Sequence, residues 1–507
     1  MSLNFTKNKS VFIDSLVYIA LLTAIVVFRF HVLKYFSFNW TDGDQVLMWH
    51  GAKDFAEGKF YETRFYGQAY NTMLESLFAA PFTNFGIGID RLLPIVTSGM
   101  AIFPFILISL HVFIKKSSKL ALVILSIPLI LPPNYTLITS IPRGFVTGIF
   151  VASLLYLLLE NRTSKVKFFL FSFLFVISYS INPNVIYFSV PCLCYVILNN
   201  YKNKPAYLPV LIGFSVGFLI HFLLNLFYEI HENYNLHRYS VSYSFNNVWE
   251  SLQNMNFYFK DISIVFVHFG ISILLLLLVI VWILFIQQQK QKAISIAVFF
   301  VILLITFSMS KLQDALDSVF YSYARFYLAV PLLLALAISF LNLRKFTWLV
   351  YVYLLIPFAC FAYNDSQLEP KVAAETNMGM SHMVSIKPVV EVKDECKRLK
   401  ALSEKNKIDL IVIGFDWRNT LCTYGCRACV DDFPPTIFPF YERRTWRMIE
   451  DENKVYQNVL VIDVALHVDS ILPNVEKLED NFYLVKNNHL KTFELIDTIG
   501  MKYRPFR

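Results

Sequence analysis

A chain of 507 residues that is 56% hydrophobic and only 16% charged, with a mean hydropathy of +0.51, is too apolar to fold as one soluble domain. No zinc-finger, helix-turn-helix or RNP-like pattern accompanies its formal charge of +8, which points away from a nucleic-acid partner. The surplus has to be read by its position along a membrane chain.

Lys7 and Lys9 precede a first apolar run from about Val11 to Leu33. This run is long for a signal peptide, carries Asp14 and lacks a small-residue cleavage site, so it reads as a retained span with a cytoplasmic N-terminus. Next, Thr41-Asp42-Gly43-Asp44-Gln45 sets two carboxylates within three positions. Asp-Gly is a turn signal, and a solvated turn is the plainest reading of the stretch. Met48 to about Asp90 is patterned for helix yet too polar to span. Its Trp49, Phe55, Phe60, Tyr61, Phe65, Tyr66 and Tyr70 predict helices along the membrane interface.

Further apolar runs lie near 92–114, 120–133, 143–160, 168–182, 184–199, 206–228, 262–286, 293–310, 326–342 and 347–363. With the first they make about eleven transmembrane helices. Lys115-Lys116, Arg162 with Lys165 and Lys167, Lys202 with Lys204, Lys290 with Lys292, and Arg344-Lys345 fall in alternate loops, all on the side of the N-terminus. Such a sustained positive-inside pattern puts the loops near 34–91, 134–142, 229–261 and 311–325 outside the cytoplasm, together with the tail. The expected fold is a polytopic α-helical membrane domain over 1–363, with the acidic motif in external loop 34–91, followed by an extracytoplasmic soluble α/β domain over 364–507. A bacterial inner membrane suits this layout.

In the tail, Lys393 to Lys405 reads as a helix, and 408–414, 459–462 and 482–485 read as strands. Phe415-Asp416-Trp417-Arg418 follows the first of these, where α/β sheets usually contact ligands. Cys396, Cys422, Cys426 and Cys429 suit two external disulfides of unassigned pairing. The spacing Cys422-x3-Cys426-x2-Cys429 also admits a metal, although no nearby histidine completes a standard zinc set.

From Asp44 onward, Asp44-Gln45, Glu57-Gly58, Tyr66-Gly67-Gln68-Ala69-Tyr70, Glu75 and Ala79-Ala80-Pro81 resemble the first external loop of GT-C superfamily glycosyltransferases. The segment is most similar to the dolichyl-phosphate-mannose protein mannosyltransferase (PMT/ArnT-like) family. Tyr323-Ala324-Arg325-Phe326-Tyr327-Leu328-Ala329-Val330-Pro331 is similar to that family's entry into a late span. The family commonly carries Asp-Glu where this chain has Asp44-Gln45, a departure that leaves a divalent cation such as Mg or Mn open.

The resemblance implies a membrane glycosyltransferase that moves a hexosyl or pentosyl unit from a polyprenyl-phosphate donor to the hydroxyl of a protein, lipid or glycan acceptor, by an inverting single displacement. It implies Asp44 as general base, and with Gln45 at the second acidic position it leaves Asp42 as the carboxylate able to substitute there from the other side. A leaving phosphate needs fixed cations, and Arg325, with Arg143 as a second choice, stands at the outer end of a span where a guanidinium suits phosphate oxygens. Gln45, Tyr66, Gln68, Tyr70 and Glu75 are candidate substrate contacts, with Glu75 alternatively a partner of Arg64. His231, His237 and Arg238 lie in the long external loop where a substrate docks, unless that loop is merely solvated. His50 and His268 read as structural.

Two other classes fit about a dozen spans. An O-antigen polymerase or ligase concentrates arginines in a large mid-chain external loop, whereas residues 229–261 contain one arginine. A lipid-linked sugar flippase or transporter calls for internal repeats and ionisable groups within spans, and most ionisable residues here collect in loops.

Overall fold

Every apolar run read from the sequence holds a helix in the computed structural model of the chain, which describes residues 5–60, 64–65, 71–159, 164–230, 241–265, 269–313, 315, 317–342, 348–377, 386–438, 451–472 and 474–501. The chain opens with α1 (Phe5–Val32), passes two shorter helices, α2 (Gly43–Ala56) and α3 (Leu74–Ala79), and enters α4 (Ile89–Lys115). Among the described residues, five helical stretches are long and apolar enough to cross a membrane: Val11–Ser37, Ile89–Lys115, Lys204–Phe227, Lys290–Phe307 and Leu349–Asn377. Others are shorter, and some runs are broken where a proline removes a donor. The run near 120–133, for instance, divides into Ser118–Leu125 and Ile127–Ile130 ahead of and around Pro128.

One polar exception inside the apolar runs is paired across helices. Asp14, the odd carboxylate of the first run, is buried and accepts from Ser118, Lys119 and, at 2.7 Å, the Tyr351 hydroxyl. That cluster ties α1 to two other helices. Helix Tyr207–Ile230 meets Lys165–Ile181 through Gly213 and Gly217, where a Cβ would run into the Phe169 backbone and Val176. Small residues four apart allow this close approach.

In the tail, three expected strands form where continuous apolar runs permit burial on both faces. The sheet of the tail has five strands among the described residues. A two-residue ribbon precedes it in chain order: β1 (Trp40–Thr41) and β2 (Lys387–Pro388) pair antiparallel, Thr41 opposite Lys387. The five strands are β3 (Leu410–Ile413), β4 (Thr436–Ile437), β5 (Val459–Ile462), β6 (Val475–Glu479) and β7 (Phe482–Val485). Strand β3 is parallel to both β4 and β5, and β7 is antiparallel to β5 and β6. The expected helix appears as Val389–Asn406. Helix Leu355–Asn377 runs continuously through residue 363, where the sequence suggested a domain boundary.

Part of the stretch read as lying along the membrane interface packs against protein instead. Val46, Trp49 and Phe65 are buried in a core shared with Leu92 of α4, Val392 and Leu421 of the tail helices, and Ile411 and Leu460 of the sheet. Trp49 and Phe55 are covered by protein, while Phe60, Leu77 and Phe78 of the same stretch are exposed. Here the tail rests directly on the loop that carries the acidic motif.

Cys396 and Cys426 form a disulfide with a Cα separation of 5.0 Å, joining helix Val389–Asn406 to helix Arg418–Cys429. Cys422 and Cys429 remain thiols, so the four tail cysteines make one bridge where the sequence suggested two.

Candidate active site

Asp42 is the N-cap of α2. Its extended backbone aims the carboxylate back at the helix, and Oδ1 accepts from the Asp44 and Gln45 N–H groups at 2.9 and 3.0 Å. Gln45 Nε2 donates to the other oxygen at 3.3 Å. A carboxylate in place of Gln45 would set a second negative charge against a wholly buried one, so the departure from Asp-Glu is coherent with this geometry. The Asp-Gly turn is thus a helix start.

Arg143 completes the arrangement. Its guanidinium pairs with Asp42, donates to the Phe320 carbonyl and comes within 3.8 Å of Asp44 Oδ2. Asp42 and Arg143 are both buried, while the Asp44 side chain is 20% exposed. Of the two acids, Asp44 alone lines the neighbouring cavity.

A polar scaffold holds the Arg143 backbone. Asn71 Nδ2 donates to the Arg143 carbonyl at 3.2 Å, Asn182 Nδ2 donates to Asn71 Oδ1 at 2.7 Å and to the Gly144 carbonyl at 3.0 Å, and the Gly144 N–H donates to Glu75 at 3.2 Å. Gly144 has φ +75°, and a Cβ there would press on Asn71 at 3.1 Å, so glycine is required. Burial pushes the Glu75 carboxyl up to about 8, the Gly144 N–H offsetting part of the rise.

The cavity is about 480 Å³ and is walled by apolar and aromatic side chains with a few polar groups. Asp44 and Arg143 reach it from one side; Arg325 and Lys311 also line it. Arg325 lies over the Tyr321 ring at 3.6 Å and the Phe326 ring at 4.7 Å, a stacking that orients its fork. Ser322 caps the short turn Tyr323–Phe326 that carries it.

The structure therefore brings Asp44, Arg143 and Arg325 to one cavity. Asp42, Gln45 and Glu75 are buried, and none of the three lines the cavity. Tyr66, Gln68, Tyr70, His231, His237, Arg238 and His268 lie outside the described residues. Lys311, Asn71 and Asn182 were not legible as site residues, since isolated amides and a single lysine carry no spacing signal. His50, read as structural, is buried beside Asp54 at 3.5 Å.

No protein-family model and no curated protein matches the sequence. Solved structures do. ArnT from Cupriavidus metallidurans in the apo state aligns over 94% of this chain and 98% of its own, with a TM-score of 0.52 at 11% identity. The chain has the ArnT fold. ArnT from the same organism bound to undecaprenyl phosphate aligns over 92% of this chain and 97% of its own, with a TM-score of 0.53 and again 11% identity. Coverage of nearly all of both chains extends the likeness to ArnT through the membrane helices and into the tail, beyond the short motifs on which the sequence resemblance rested.

Proposed function

We propose that the chain is a membrane glycosyltransferase that moves a sugar from a polyprenyl-phosphate donor to an acceptor hydroxyl on the extracytoplasmic side. The observation that carries this reading is one cavity lined by a partly exposed carboxylate, Asp44, by the cations Arg325 and Lys311, and by apolar walls. Its fold likeness to ArnT bound to undecaprenyl phosphate supports a polyprenyl-phosphate partner.

In this mechanism Asp44 takes the proton of the acceptor hydroxyl as its oxygen attacks the anomeric carbon, a contribution of about 10²–10⁴-fold for a positioned base. The anomeric carbon–oxygen bond breaks on the opposite face, so configuration inverts. The electron pair leaves with the polyprenyl phosphate. Arg325 and Lys311 meet the growing phosphate charge. A divalent cation does not fit the described donors around Asp44: the Arg143 guanidinium stands 3.8 Å from its carboxylate, and Asp42 is paired with that same guanidinium. No step is assigned to a metal.

The test is sugar transfer from a polyprenyl-phosphate donor by the purified chain in liposomes. Wild type transfers, and Asp44→Asn loses transfer while keeping its melting temperature. Full activity in Asp44→Asn removes Asp44 as base. Donor movement across the bilayer without transfer favours the flippase, and polymerisation of a lipid-linked glycan without use of a monosaccharide donor favours the polymerase or ligase.

A further inference from the structure

Helix Phe245–Gln253 divides its surface into three sectors. With 3.6 residues per turn, Val248 and Ser251 share one side. Val248 packs against the membrane-domain core, and the buried Ser251 donates to the Phe307 carbonyl at 3.2 Å. The next sector carries Phe245, Trp249 and Leu252, which are 82%, 61% and 38% exposed. A third carries Asn246, Glu250 and Gln253, also exposed. A helix packed on a protein and otherwise in water needs two sectors, one apolar and one polar. A further apolar sector, opened outward and aromatic, calls for a second apolar medium.

The helix's anchorage says which medium. Ser244 N–H donates to the Ser308 carbonyl at 2.9 Å, Ser310 N–H to the Ser242 carbonyl at 2.9 Å, and Asn247 Nδ2 to the Ser308 carbonyl at 3.0 Å. All three bonds fasten the helix to the end of Lys290–Phe307, a stretch long and apolar enough to span. Val301, Leu304 and Ile305 of that stretch are themselves exposed, so the apolar sector continues a surface made for lipid.

We propose that helix Phe245–Gln253 docks on the bilayer, with Phe245, Trp249 and Leu252 in the acyl boundary of the leaflet at the Phe307 end of the span, and Asn246, Glu250 and Gln253 facing water. Tryptophan at such a level suits the amphipathic interface. The consequence concerns the cavity, because Val241 and Tyr243, just before the helix, line it. Docking holds that rim at head-group depth. This reading is independent of sugar transfer and stands or falls on membrane contact alone.

The test uses the full chain in phospholipid nanodiscs, with Trp249→Cys, Phe245→Cys and Glu250→Cys each labelled with bimane. Signal from the unmutated chain, treated identically, is subtracted for its own thiols. Expected is quenching by brominated phospholipid at 249 and 245 at least about twofold stronger than at 250, and the reverse order with aqueous iodide. Equal access of iodide to all three sites, with no quenching by brominated lipid, overturns the proposal in favour of a solvated helix. Failure of both quenchers at 249 and 245 overturns it in favour of a protein cover such as a second copy of the chain.

Discussion

Arg143 pairs with the buried Asp42 and stands 3.8 Å from Asp44, so a single guanidinium serves both acids of the loop. The two acids have separate work. Asp42 starts α2 and is sealed by its partners, whereas Asp44, two residues on, is carried on the first turn of α2 to the cavity. The geometry of Asp44 therefore depends in part on Asp42, which does not line the cavity.

Removing Arg143 leaves Asp42 as an unpaired buried charge, which costs about 3–5 kcal/mol. Arg143→Ala is expected to melt well below wild type and to lose transfer. Arg143→Lys keeps the charge but not the fork that reaches Asp42, Phe320 and Asp44 together, so it should fold and still transfer at least about tenfold more slowly. In Arg143→Ala/Asp42→Asn the buried charge is gone along with its partner, and the loss of stability should be smaller than the sum of the single losses. Additive losses in the melting experiment would mean that the pair contributes nothing as a pair.

Glu75 sets a pH dependence of stability. Its folded carboxyl holds a proton up to about pH 8, against an ordinary value of 4.5, so the native state binds the extra proton between those values. Stability from this group is fully present at the acidic end and is lost as pH rises across the window. Glu75→Gln has no proton to lose and still offers an oxygen to Gly144. It should match wild type near pH 4 and exceed it by up to about 5 kcal/mol near pH 9. Melting curves of the two proteins across pH check this, and parallel curves would show that Glu75 does not titrate in the folded chain.

Much of this architecture was legible because burial writes itself into sequence. The eleven apolar runs became helices, and Leu410–Ile413, Val459–Ile462 and Phe482–Val485 became strands, since continuous apolar runs have few other fates. Asp44 was legible through its motif. Other features depend on contacts between distant segments. Trp49 and Phe55 looked interfacial because nothing local says that a tail hundreds of residues on will cover them. The amphipathic helix Phe245–Gln253 was passed over as loop because it is short, and the polar edge strand Val475–Glu479 has no apolar run to announce it. Arg143 could be named as a cation near the outer face, yet only the fold shows it turned onto Asp42.

The tail bears on Asp44 through two connections, and the disulfide tests them. Thr41, immediately before Asp42, pairs with Lys387, and Val46 of α2 and Val392 of one tail helix both lie against Gly425 of the other, the two tail helices that Cys396–Cys426 joins. With its ends at a sequence separation of 30, the bridge is expected to stabilise the tail by roughly 3–4 kcal/mol. Cys396→Ser and Cys426→Ser should each lower the tail's melting temperature, raise amide exchange in both tail helices and in α2, and slow sugar transfer. Cys429→Ser, which breaks no bridge, should change none of these. If exchange rises in the tail helices while α2 stays protected and transfer is unchanged, α2 is held by the membrane helices alone, and the tail's part in positioning Asp44 falls.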